Sequence, residues 1–520
     1  MALLSAFLEQ RFAIFLFWLL LALFSGLVFA GALVSVPFAD TILPPLQARS
    51  LHISLMLYGF VPLLLSFLPF ALFEKDNTLT PDALKYLNIY FLLWNLFLIA
   101  MSVSTVLGNL RGLPFYDFPY ELNFILVAAG MFYFAAILSS VKQYKKMPVW
   151  VKVSFAVVII APILLVVLMN PTYGQVEKTL IGPHGDNTLG MSLALIPLFY
   201  LLIKLYAKNT FVPRYHIFWI IPLVGYLSSL VIRNFFQTLS YEQEWFFQYL
   251  TLLYLPLLLL WKKDAELTLK KAPFLLLSIW TFILVDIEGN VLFIPAIRTL
   301  MHRNDLVIAH AHLAMGISVA FMSMSIAQYV LPKLIKAKDA YRWFVLMVGI
   351  ALVLSIAGLI EGKVVDGNVT FWLFLRFVLG LAFIVAIVLI TRRFILKETY
   401  TSEQLYHSVG FLSDFGGGVA LVLFYPFIFS FLGIEEHSSY LYVIFVFMMG
   451  TGILHWKALA SSNKGFGSLS ATIRMMISGV FLALTLAGMI HPLLGWMIVG
   501  FDASMALIYW TLFEEHKWHY

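Results

Sequence analysis

Apolar runs of about 20 residues, the length that crosses a hydrocarbon core, recur along the whole chain and are separated by short polar stretches. The pattern predicts sixteen membrane helices, at approximately 11–34, 51–73, 86–108, 120–141, 149–170, 186–206, 216–236, 245–261, 272–296, 304–331, 342–361, 370–391, 405–432, 438–459, 471–489 and 493–513. The expected fold is therefore an all-α integral membrane bundle. The first run follows a single basic residue, Arg11, lacks a small-residue cleavage pattern and exceeds a signal h-region in length, so it reads as a retained helix. No soluble domain or low-complexity segment interrupts the series, which places any chemistry within the bilayer or at its edges.

Composition agrees with the pattern. Of the 520 residues 62% are hydrophobic and only 12% charged, and the mean hydropathy is +0.93, outside the range of soluble domains. With the N-terminus inside, most of the 33 lysines and arginines fall on inward segments, among them Lys142, Lys145, Lys146, Lys262, Lys263, Lys270 and Lys271. That bias puts both termini in the cytoplasm. It also makes the net charge of +6 a signal of topology and argues against nucleic-acid binding. The absence of cysteine excludes disulfides, iron–sulfur clusters and covalent haem attachment through C-x-x-C-H.

Ionisable groups at membrane depth are costly and need a reason. His52 opens the second predicted helix, His184 just precedes the sixth, and His310 and His312 lie in the first third of the tenth. All three helices run from outside to inside, so the four histidines share a layer near the outer face and recur every fourth helix. Successive helical residues turn by about 100°, so positions 310 and 312 point roughly 200° apart. One regular helix cannot bring both imidazoles to the same metal, but it can present them to two centres, one on each side. Imidazole is the commonest protein ligand of haem iron. The alternative is that both are hydrogen-bonded polar residues or line a proton path.

The segment MHRNDLVIAHAHLAMG, with LHISLMLYG at the start of the second helix, resembles the haem–copper oxidase superfamily, especially nitric oxide reductases and cbb-type oxidases, over roughly residues 10–391. The resemblance implies that His52 and His312 clamp a low-spin haem and that His310 holds a high-spin haem, both b-type. It implies further that Glu288, in DIEGNV, is a buried acid and that Arg376 lies near the haem propionates; His302 also falls where these relatives carry a histidine. Electrons would come from a c-type cytochrome subunit or quinol, and nitric oxide or oxygen would be the gaseous substrate. The expected location is a bacterial or archaeal cytoplasmic membrane.

The chain departs from that family at its second metal, copper or non-haem iron. The family holds it with one histidine on helix six and an adjacent His-His pair on helix seven. Here IGPHGDNTLG supplies His184, followed by Asp186 and Thr188. LVIRNFFQTLS offers Asn234, Phe235 and Phe236 where the pair would stand, and no adjacent histidines occur anywhere. One imidazole is too few ligands for a firmly held transition metal. The expected domains are a core over 1–391 and a four-helix extension over 392–520. In the extension, the Gly416–Gly418 run reads as close helix packing, His437 as solvated, and His455, beside Trp456 and Lys457, as an interfacial anchor. His407 and His491 have no identifiable partner in the sequence. Three functions remain open: a haem oxidoreductase with an altered active site, a non-catalytic haem relay or gas sensor, and a transporter of protons or metal ions.

Overall fold

The computed structural model describes the backbone of residues 2–510 except 37–38, 114–115, 169–185, 209–210, 237–238, 302–303, 396–401, 420, 423–424, 426–428, 430–439 and 462–463. Every described element is a helix. Among the described residues twelve helices are long and apolar enough to cross a membrane, so the chain is a polytopic helical membrane protein. They are α1 (Ala2–Leu33), α2 (Pro45–Lys75), α3 (Pro81–Val106), α4 (Tyr120–Val141), α6 (Asp186–Tyr206), α8 (Tyr241–Asp264), α9 (Pro273–Leu292), α10 (Asp305–Val330), α11 (Ala337–Glu361), α12 (Val369–Ile395), α14 (Tyr440–Ser461) and α15 (Lys464–Leu486). Shorter apolar stretches lie in α5 (Val149–Leu168), α7 (Ile217–Phe235) and α16 (Pro492–Tyr509). The run expected at 405–432 begins as α13, Ser402–Gly410 with a π turn at Phe411–Gly416, and lies in part outside the described residues. The chain divides into two compact units, Met1–Thr391 and Arg392–Tyr520.

In the first unit α2 forms the centre: Leu63, Leu64, Phe67, Leu68, Phe70, Leu72 and Phe73 are fully buried, because the second half of this helix is apolar on nearly every face. Outer helices turn apolar side chains outward instead, such as Leu92, Phe124 and Val345, as a lipid-facing surface requires. Polar side chains tie neighbours together where hydrocarbon offers no other partner. Trp18 Nε1 donates to Asn95 Oδ1 at 2.7 Å and Arg11 Nη2 to Asn88 Oδ1 at 2.7 Å, joining α1 to α3. Lys75 Nζ donates to the carbonyls of Lys204, Leu205 and Ala207 at 2.8, 3.1 and 2.9 Å, capping the end of α6 from the end of α2.

Two π turns interrupt the helices that carry the predicted ligands. Leu55–Phe60 follows His52 in α2, and Ala314–Val319 follows His312 in α10. A π turn inserts a residue into the helix and alters its hydrogen-bond ladder. Side-chain donors meet carbonyls in both turns: Trp94 Nε1 bonds Tyr58 O at 2.7 Å, Trp343 Nε1 bonds Gly316 O at 2.9 Å, and Ser278 Oγ bonds Ser318 O at 2.6 Å. Ser323 Oγ bonds Val61 O at 2.9 Å, fastening α10 to α2 just past both turns.

In the second unit α15 and α16 pair along their lengths and α13 lies against α14. A methyl at Gly452 would come 2.4 Å from Phe415 N, and one at Gly418 would come 2.6 Å from Met449 Cγ. Gly418 therefore fits the close packing read from the glycine run, whereas Gly416 faces open space.

Candidate functional site

His52 and His312 face each other. Their ring centres are 6.2 Å apart and their planes differ by 24°. Each ring is fixed by a backbone carbonyl: His52 Nδ1 donates to Ala22 O at 2.8 Å, across to α1, and His312 Nδ1 to Ile308 O at 2.8 Å, one turn back on α10. With Nδ1 carrying the proton, Nε2 keeps its lone pair free for another atom. An imidazole nitrogen binds a metal at about 2.0–2.1 Å, so two imidazoles opposed across one ion hold their ring centres roughly 6 Å apart. The observed separation matches that arrangement. Neither ring is fully buried. Gly26 of α1 makes room for His52, since a methyl there would lie 2.6 Å from Nδ1.

Arg376 of α12 adds a third group. It is only 7% exposed and lies within electrostatic reach of both imidazoles and of Asp305 and Glu361. Its Nε and Nη2 are buried with no hydrogen-bond partner among the described residues. Charged donors without acceptors are costly in such a place, and a carboxylate is the group that answers them best. Two opposed imidazoles beside a buried, unsatisfied guanidinium fit a haem with its propionates.

His310 points elsewhere. Its Nδ1 lies 3.4 Å from Glu288 Oε2 of α9, and both side chains are about a quarter exposed. Gly289 lets α9 approach this ring, a methyl there falling 3.2 Å from His310 Cε1. Glu288 was expected to be the buried acid; the acid that is buried is Asp286, 7% exposed, with Oδ2 unpaired. The reason is helical phase: Asp286 and Glu288 lie roughly 200° apart around α9. Asn290 Nδ2, bonded to Thr251 Oγ1 at 3.1 Å and Asp286 O at 2.8 Å, extends this polar patch toward α8.

The start of α10, which aims both histidines, is held tightly. Asn304 caps it by accepting from Leu306 N at 3.1 Å, Glu361 Oε2 accepts from Asp305 N at 2.8 Å, and Asn304 Nδ2 reaches Gly358 O at 2.9 Å. A methyl on Gly358 would come 2.3 Å from Leu306 N. Near the His52 end of α2, Asp117 Oδ1 accepts from Arg111 N and Gly112 N at 2.7 Å each. Ser50 Oγ donates to Asp117 O, and burial pushes the nearby Tyr116 phenol up to about 12.

His184 and His302 lie outside the described residues. Among the described residues no three His, Cys, Asp or Glu side chains group as metal ligands. Phe235 and Phe236, expected at the depth of the second metal, are each 79% exposed at the end of α7. Two readings in the C-terminal unit are corrected. His455 is fully buried, because in a helix it turns away from its exposed neighbours Trp456 and Lys457. His407 has a partner: its Nδ1 is 2.9 Å from His455 Nδ1. The signal available in the sequence was the isolated charges Asp414, Arg474 and Asp502 inside apolar runs, which surround this pair. His437 is outside the described residues.

In comparison with known proteins, no protein-family model matches the chain and no curated protein matches it either.

Proposed function

We propose that the chain is a membrane haem oxidoreductase of haem–copper oxidase type, holding two b-type haems. His52 and His312 hold the low-spin group, Arg376 receives its propionates, and His310 holds the second group. A bound haem supplies an iron that gains and loses one electron. The protein fixes both imidazoles through Nδ1, keeps Nε2 available, and sets His310 on the opposite side of α10 beside Glu288. Electrons arrive from a c-type cytochrome subunit or quinol, and the substrate is nitric oxide or oxygen. The expected setting is a bacterial or archaeal cytoplasmic membrane. The observation that supports this most directly is the 6.2 Å opposition of His52 and His312, with both Nδ1 atoms already engaged.

A pyridine haemochrome assay on purified protein tests it. The expected result is two haems per chain, falling to one in His52→Ala and His312→Ala with loss of the low-spin spectrum; protein purified without haem overturns the reading. A second reading, a haem relay or gas sensor without turnover, is favoured by the lack of an adjacent histidine pair in the sequence. Reduction of nitric oxide or oxygen by the purified protein, supplied with reduced cytochrome c or quinol, separates the two.

A further inference from the structure

The C-terminal unit encloses a polar cluster that the proposed haem chemistry does not use. Arg474 of α15 bridges two acids: Nη2 donates to Asp414 Oδ2 of α13 at 2.6 Å, and Nη1 to Asp502 Oδ1 of α16 at 2.5 Å. Beside them His455 of α14 has Nε2 3.2 Å from Ser470 Oγ, 3.5 Å from Arg474 Nη2 and 3.7 Å from Asp414 Oδ2. Its Nδ1 meets His407 Nδ1, and Tyr406 donates to Ser470 Oγ at 3.2 Å. His407, His455, Asp414, Arg474 and Asp502 are all at most 8% exposed. Tyr509 of α16 packs on Tyr406, and Phe466 of α15 covers both imidazoles.

Proton positions follow from the partners. Ser470 and Arg474 both aim hydrogens at His455 Nε2, so that nitrogen accepts and the His455 proton sits on Nδ1. It is donated to His407 Nδ1, which puts the His407 proton on Nε2. That Nε2 is buried and has no hydrogen-bond partner among the described residues. Charge adds a second argument. Two carboxylates face one guanidinium, so with neutral imidazoles these buried groups carry one uncompensated negative charge, an expensive state that one bound proton removes. A divalent metal is a poor alternative, because Arg474 already occupies the space between the acids.

The cluster also lies at one end of the unit. His407 is near the start of α13 and His455 near the end of α14; Ser470 is near the start of α15, and α16 ends at Tyr509. We infer that the C-terminal unit carries a proton-binding site in which His407 and His455 share one proton and hold it against Asp414 and Asp502.

Full-length protein in lipid nanodiscs, labelled with ¹⁵N-histidine and titrated over about pH 5–9, tests this. The expected result is one added proton on the His407–His455 pair, seen as a joint shift of two ring nitrogens coupled through the Nδ1–Nδ1 hydrogen bond. His407→Gln and His455→Gln each abolish that shift, and Asp502→Asn lowers its midpoint by about 1–3 pH units, because a carboxylate that favours the cation is gone. The inference is overturned if the wild-type rings keep fixed tautomers and take up no proton over this range, a result that needs no variant to fold. It is equally overturned if the shift survives in both glutamine variants.

Discussion

Gly26 has space for a hydrogen where any other residue needs space for a carbon. Replacement by alanine would set a methyl 2.6 Å from His52 Nδ1 and 2.9 Å from Cε1, so the ring must leave the Ala22 carbonyl. Gly26→Ala is expected to keep the fold and lose the low-spin absorbance. The control Gly130→Ala, where nothing lies within 4 Å, should keep the absorbance and gain about 0.5–1 kcal/mol of helix stability, both readable by spectrum and thermal unfolding. At this scale the sequence exposes ligand candidates well, because a histidine in an apolar run has few cheap explanations. It conceals which acid is buried: Asp286 and Glu288 are two residues apart, and only the phase of α9 against its neighbours separates them.

Between helices, the approach of α11 to the start of α10 sets the height of both α10 histidines. Gly358→Ala meets backbone, Leu306 N at 2.3 Å, and backbone cannot rotate away. The variant is expected to displace α10 and reduce haem content together with melting temperature. Trp343→Phe removes the bond to Gly316 O in the π turn and part of a buried ring packed on Phe60, Phe321 and Phe383, and should cost about 2–4 kcal/mol by thermal unfolding while leaving the haem spectrum in place. Helix positions are legible in the sequence because crossing a bilayer imposes a length. The π turns are not, since one inserted residue leaves no trace in composition. Nor is the cluster around Arg474, whose members come from four helices and share no local motif; Trp456 and Lys457 disguise His455 by suggesting a membrane edge that only their own faces meet.

For the molecule as a whole, the lysine and arginine bias predicts orientation. A C-terminal green fluorescent protein fusion should fluoresce and a C-terminal alkaline phosphatase fusion should stay inactive; the reverse pattern inverts the topology. Surface charge contributes little to stability. Lys208 and Glu266 pair at 2.7 Å with about 70% of each side chain exposed. The pairing raises the lysine's pKa and lowers the glutamate's. The glutamate's share is therefore lost as pH falls through its lowered value, and the lysine's as pH rises through its raised value. In between, screening leaves so little that Glu266→Gln should not measurably change the melting temperature at physiological salt.

The two opposed imidazoles are oriented by peptide oxygens, at Ala22 and Ile308. Every residue has such an oxygen, so no single substitution deletes either hold. A genetic screen for loss of ring orientation would therefore recover no hydrogen-bonding partner. Its hits would be residues that are too large, at Gly26 above all, and the positions that govern the geometry of the pair would be recognised by volume alone.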